Sequence, residues 1–173
     1  MTQSDASDAA GSQPTLPTGR LQGRQVFVDT VRQAFEVAAA QGWSHITLSD
    51  ADFTDWPLGE RVVVDALNRW ARRGRTMKLL ARNYEQLRLL HPRFVQWRVT
   101  WSHLIEAHAC QGAAAAELPS AIGSPVWTLE RLDPLRNTLV ASMDAERRVA
   151  LRERVNECWL RGTPAFPASQ LGL

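Results

Sequence analysis

Three groups of residues in this 173-residue chain have types and spacings that could do chemistry. Asp50, Asp52 and Asp55 place three carboxylates within six residues, and clustered oxygen donors suit a hard cation such as Mg²⁺. Asp is also a residue of turns and helix caps, and in this stretch that role takes precedence, so no metal is assigned. Arg82, Arg93 and Arg98 form the second group. Guanidinium groups bind phosphate oxygens bidentately, so these three could make an anion pocket. The competing reading pairs Arg82 with one of the aspartates, bridging two loops. The third group is His103-Leu104-Ile105-Glu106-Ala107-His108. Two zinc ligands on a helix need i,i+4 spacing, whereas these histidines stand at i,i+5. On a helix His103 and Glu106 share a face and His108 turns away; on a strand Glu106 and His108 share a face and His103 opposes them. No regular structure unites all three. His103 and Glu106 remain as acid–base candidates, because imidazole titrates near neutrality.

Other chemistries lack their residues. There is no Gly-rich phosphate loop and no Gly-x-Ser-x-Gly elbow, and Cys110 and Cys158 fit no metal or redox spacing. No cofactor is expected. Two isolated cysteines suit small buried side chains in a reducing compartment. The N-terminus has no basic and apolar signal segment, and no run approaches the roughly 20 apolar residues of a membrane span. These features lead to the expectation of a cytoplasmic protein.

The elements that would position these groups follow from periodicity. Residues 1–23 are polar and aperiodic and read as a disordered tail; residues 24–173 read as one α/β domain with a mixed sheet flanked by helices. Phe27, Val28, Val31, Ala34, Phe35 and Ala38 have helical spacing up to a stop at Gly42. Ser44–Ser49 alternates as a strand. Thr54 or Asp55 can cap a helix that begins at Pro57, carries Val62, Val63, Ala66, Leu67 and Trp70 on its apolar side and ends at Gly74. Met77–Ala81 is an apolar run broken only by Lys78, as expected of a buried strand. Residues 83–91 read as a helix, and 93–110 fit either one helix or a helix and a strand. Gln111–Pro125 reads as a surface loop. Val126–Leu132 and Thr138–Met143 read as strands joined at Asp133-Pro134. Asp144 caps a last helix with Leu151, Val155, Cys158 and Trp159 on its apolar side, and Thr163–Leu173 follows as a surface tail.

Charge is unevenly spread along these elements. Arg61–Arg98 holds ten of the twenty Lys and Arg residues and two of the eighteen acids, so it carries +8 against −6 for the remainder. Nineteen of the twenty cations are Arg; Lys78 is the single lysine. Aromatic residues run through the block, and most of the seven tryptophans fall on apolar helix faces, which assigns them to packing. Nucleic-acid binding through this block would need Arg61, Arg69, Arg72, Arg73 and Arg75 on one uninterrupted exposed face.

The strand ending Leu48-Ser49-Asp50 is followed by Pro57-Leu58-Gly59, opening a helix that ends Arg72-Arg73-Gly74-Arg75. With the strand Met77–Ala81, the late hairpin and a closing helix ending Cys158-Trp159-Leu160-Arg161-Gly162, this arrangement resembles the phospholipase D-like fold. Trp97-Arg98, Trp101-Ser102-His103 and Pro164-Ala165-Phe166-Pro167 make it similar to an uncharacterised bacterial family of such domains, over roughly residues 25–173. Catalytic members of that superfamily carry His-x-Lys-x4-Asp. Here the residue two before Lys78 is Thr76, so the signature is absent, and Arg does not replace a compact ammonium. The resemblance therefore implies a non-catalytic domain that binds a phosphate-containing ligand or a protein partner. Because catalytic members use two signature copies, often by dimerising, it also implies a possible homodimer. The alternatives are a phosphodiesterase-type enzyme built around Asp50, Arg82 and His103, or a nucleic-acid-binding accessory protein using residues 61–98.

Overall fold

An eight-stranded mixed sheet organises the chain in the computed structural model, which describes residues 15–168. In chain order the elements are β1 (Gly19–Gln22), α1 (Arg24–Gln41), β2 (His45–Asp50), α2 (Arg61–Ala71), β3 (Thr76–Ala81), α3 (Glu85–Leu90) and α4 (Pro92–Thr100). A 3₁₀ turn at Ser102–Leu104 leads to β4 (Ile105–Ala109), then α5 (Ala113–Ala116), β5 (Ser120–Gly123), β6 (Thr128–Asp133), β7 (Thr138–Ser142), α6 (Ala145–Arg161) and β8 (Thr163–Pro164). The strand order is β1-β7-β6-β5-β2-β3-β4-β8. Strands β2, β3 and β4 are parallel, and every other pairing is antiparallel.

The two faces of the sheet are covered unequally. Ile46, Leu48, Met77, Leu79, Ile122 and Leu129 point to one face and pack with Phe27, Phe35, Leu67, Trp70, Leu87, Phe94 and Trp97 from α1–α4 in the main core. Burial of this many large apolar side chains is the dominant stabilising term. The opposite face carries a smaller core: Leu80, Cys110 and Ala121 against Leu151, Val155, Cys158 and Trp159, mostly from α6. Toward the start of α6 the sheet offers Thr47, Gly123 and Thr128, and the helix offers Ala145, Arg148 and Arg152. Small and charged side chains cannot close that gap, and a cleft opens there.

Several local expectations need correction. Residues 1–14 of the expected tail lie outside the described residues, but Gly19–Gln22 form an edge strand paired with β7. That pairing, with Pro17 accepting a hydrogen bond from Trp127 Nε1 at 2.9 Å, supplies the order that local composition does not. Helix α2 starts at Arg61, with Glu60 rather than Thr54 or Asp55 at its N-cap. Gly59 is pressed onto the next connection: its N–H donates to His91 Nδ1 at 3.1 Å, and a Cβ there would stand 3.0 Å from His91 Cα. Residues 93–110 are helix, turn and strand, ending the ambiguity in favour of two elements. Gln111–Pro125 is not a loop throughout: it contains α5 and β5, and β5 is an interior strand whose Ser-Ala-Ile-Gly sequence is a poor local strand former. Of the expected surface tail, residues 163–168 are tied down by β8 pairing with β4 and by Phe166, which stacks on Tyr84 at 4.9 Å; residues 169–173 lie outside the described residues.

Candidate functional site: a cationic cleft beneath the last helix

The aspartate loop is structural. Asp50 ends β2 on the main-core side, buried, and its Oδ2 accepts the backbone N–H groups of Phe53 at 2.8 Å and Asp52 at 3.2 Å. Its Oδ1 accepts from Arg131 Nη2 at 3.0 Å, and Arg131 Nη1 donates to Asp55. The Arg131 guanidinium also lies over the Phe27 ring at 4.4 Å. Asp52 Oδ1 accepts the Thr54 N–H at 2.9 Å. The cation that meets these carboxylates is thus Arg131 of β6, not Arg82.

The three arginines expected to form an anion pocket do not converge. Arg82 is exposed and engages Ala51 through its backbone, while Arg93 is exposed and donates to Gly59 O at 3.3 Å. Arg98 is buried; its guanidinium faces the Phe166 ring at 5.9 Å, and its Nε has no partner among the described residues. Burial lowers the Arg98 pKa. Arg98 lines an open cleft with Glu106, His108 and Pro164, to which Arg82 and Arg93 do not contribute. His103 is exposed beside Trp101, apart from Glu106 on β4. His108 stacks on Trp159 at 3.7 Å with its Nδ1 3.1 Å from the Trp159 carbonyl. Among the described residues no group of three or more His, Cys, Asp or Glu side chains is placed to hold a metal.

The cleft beneath α6 has a different character. It has a volume of about 460 Å³, and its walls are the polar face of β2, β3 and β5 and the inner side of α6. Three cations line it: Lys78 from β3, and Arg148 and Arg152 one turn apart on α6. No Asp or Glu lines it among the described residues. Lys78 and Arg152 form no ion pair among the described residues; Lys78 Nζ instead lies 4.9 Å over the Trp159 ring. Glu106 is the cross-strand neighbour of Lys78 but does not pair with it. Arg148 is held at the mouth by the carbonyls of Met143 and Val126. Arg72 and Arg73 are exposed in the turn that leads into Thr76, at the same edge of the sheet.

His45 reports the field of this cleft. Burial holds its imidazole below the usual 6.5, and Arg152 and Lys78 push in the same direction. Among the described residues its side-chain neighbour in hydrogen-bond range is the Ser44 hydroxyl at 3.3 Å. As pH falls, the unfolded chain takes up a proton at this position before the folded chain does. Stability should therefore be full above pH 6.5 and decline as pH falls through 6.5 toward the lower folded value. Urea midpoints measured across that range should show a shallower acid limb in His45→Gln. Superimposable profiles for the two proteins would refute this assignment.

Sequence reasoning passed over this site. Arg148, Arg152 and Asn156 recur at i, i+4 and i+8 on α6, a spacing that reads as a solvated helix face. One signal was available: Lys78 interrupts an otherwise apolar strand, and His45, Thr47 and Ser49 alternate with the apolar residues of the neighbouring strand. The basic face of α2, by contrast, is largely neutralised. Arg69 pairs with Glu36 at 2.7 Å, Arg61 lies 3.8 Å from Asp65, and Arg75 is half-buried against Gly42 and the Trp43 carbonyl.

No family model matches this chain, and no curated protein sequence does either. Among solved structures, the fold is similar to that of TrmBL2, an archaeal chromatin protein whose structure shows a novel mode of DNA binding. The TM-score is 0.61 at 16% sequence identity, over 84% of this chain and 53% of TrmBL2. This chain thus spans about half the length of the protein it resembles. The match corrects the expected membership of a bacterial phospholipase D-like family. With it goes the principal functional expectation, a non-catalytic domain of that family holding a phosphate-containing ligand or protein partner. The α/β class with a mixed sheet stands. No helix among the described residues is long and apolar enough to cross a membrane.

Proposed function

We propose that this chain binds DNA, using the cationic cleft beneath α6 and the exposed arginines at its edge. The observation that carries the reading is a concave surface lined by Lys78, Arg148 and Arg152 and, among the described residues, by no carboxylate. A DNA backbone is a dense line of negative charge, and cations that displace its counterions supply most of the sequence-independent affinity. A concave wall of low dielectric strengthens the field of such cations relative to the same charges on a convex surface. The shared fold with TrmBL2, described as a chromatin protein that binds DNA, supports DNA as the polyanion. Of the sequence's basic block, the reading retains Lys78, Arg72 and Arg73, and it adds the arginines of α6.

Labelled DNA titrated with the protein across a salt series tests this. With the three cleft cations on phosphates, log affinity should fall against log salt with a slope of about −3. No measurable binding at low salt would overturn the proposal, and binding without salt dependence would overturn its mechanism.

A further inference from the structure

We infer that the cleft beneath α6 receives a single unstacked nucleotide, so that the chain prefers single-stranded or locally opened DNA to continuous duplex. The inference rests on the DNA-binding reading and specifies what enters the site.

Size and shape come first. A volume of about 460 Å³ lies within the range of roughly 300–1,000 Å³ typical of sites that enclose one small molecule. A base pair within a duplex cannot pass between a helix and the sheet it packs on. A duplex laid across the mouth can reach the exposed Lys78 and Arg152, but not the floor, where Ala121, Leu151 and Val155 are buried.

The distribution of polar groups comes second. The cations stand on both walls, Lys78 on the sheet and Arg148 and Arg152 on the helix, so a strand entering between them has cations on either side for its successive phosphates. Thr47, Thr76 and Asn156 also line the cleft, and their side chains make no hydrogen bond with other described residues. The Ser49 hydroxyl donates to the Pro119 carbonyl and retains acceptor capacity, whereas the Ser124 hydroxyl is taken up by the Trp127 carbonyl and the Val126 and Trp127 N–H groups. A lining of hydroxyls and a carboxamide over an apolar floor suits a base, whose edges carry donors and acceptors and whose faces are apolar. A duplex would have to unstack that base first, a cost the free strand does not carry.

The test compares three ligands at one salt concentration: a single strand, the blunt duplex of the same sequence, and that duplex with a one-nucleotide gap. The single strand and the gapped duplex should bind at least about tenfold more tightly than the blunt duplex. Asn156→Trp fills the cleft from an exposed helix position, so the fold is spared; it should remove the preference for the single strand and the gapped duplex over the blunt duplex. Equal or tighter binding of blunt duplex would overturn the inference and leave the DNA-binding reading standing, as would an undiminished preference in Asn156→Trp. Absence of binding to all three ligands would overturn both.

Discussion

Arg131→Met should destabilise the fold by about 3–5 kcal/mol, the typical cost of removing one partner from a buried ion pair. The side chains of Arg131 and Asp50 are 3% and 5% exposed, so the carboxylate left behind cannot recover its hydration. Asp50 keeps the N–H groups of Asp52 and Phe53, which satisfy one oxygen and hold the loop, but its charge loses the cation that faces it. Asp55 suffers less, because 31% of its side chain is already in water. The substitution also removes the guanidinium from over Phe27, where methionine retains apolar volume but not the charge–ring attraction. Against a total stability of about 5–15 kcal/mol for an ordinary domain, such a loss is large. Urea denaturation of the two proteins at neutral pH measures it, and a loss under about 1 kcal/mol would contradict the account.

The companion variant separates charge from packing. Asn at position 50 keeps a carbonyl oxygen for the Phe53 N–H and carries no charge. Asp50→Asn with Arg131→Met should therefore recover much of the stability lost by Arg131→Met alone, since replacing both members of a buried pair is far less costly than orphaning one. Both variants lie on the α1–α4 side of the sheet, opposite the cleft, so DNA affinity per folded molecule should stay the same.

This ion pair also marks where the sequence stops being informative. Helices α1 and α6 were legible because each repeats apolar residues at a fixed helical period, and Gly42 and Gly162 bound them. Strand β3 was legible as an apolar run. Strands β1, β5 and β8 were not, because Gly19–Gln22, Ser120–Gly123 and Thr163–Pro164 have little propensity of their own; their pairing partners define them. The partner of Asp50 lies 81 residues away, whereas Arg82 stands at the end of the adjacent strand and is the nearer choice in sequence. The cleft was hidden for the same reason: its walls join positions from His45 to Trp159, and only the packing of α6 on β2 and β3 brings them together.

The basic block shows how a count of charges misleads when its partners are distant in sequence. Its net +8 arises from residues on several surfaces. Arg61 and Arg69 face acids at Asp65 and Glu36, Arg98 is buried, and Arg93 turns toward Gly59. Exposed pairs of this kind add little to stability, yet they cancel much of the field that a polyanion would feel. The positive field is therefore less cancelled where cations form no ion pair among the described residues, at Lys78 and Arg152.

Replacing those two residues should produce the larger functional effect. Lys78→Gln with Arg152→Gln is expected to weaken DNA binding by roughly 10–100-fold near 0.1 M salt and to reduce the salt slope by about 2, one for each phosphate no longer neutralised. Both side chains are exposed, so the fold should persist. Loss of two positive charges alone would weaken any polyanion interaction somewhat, and a charge-matched control removes that ambiguity. Arg61→Gln with Arg69→Gln makes the same change in net charge on α2, where both arginines already face acids. It should alter affinity by less than about threefold and leave the slope nearly unchanged. Equal losses in the two double variants would show that net charge, not the cleft, governs binding. A larger loss in the α2 variant would return the site to the basic helix face. The cleft carries the function only if Lys78 and Arg152 dominate both the affinity and the slope.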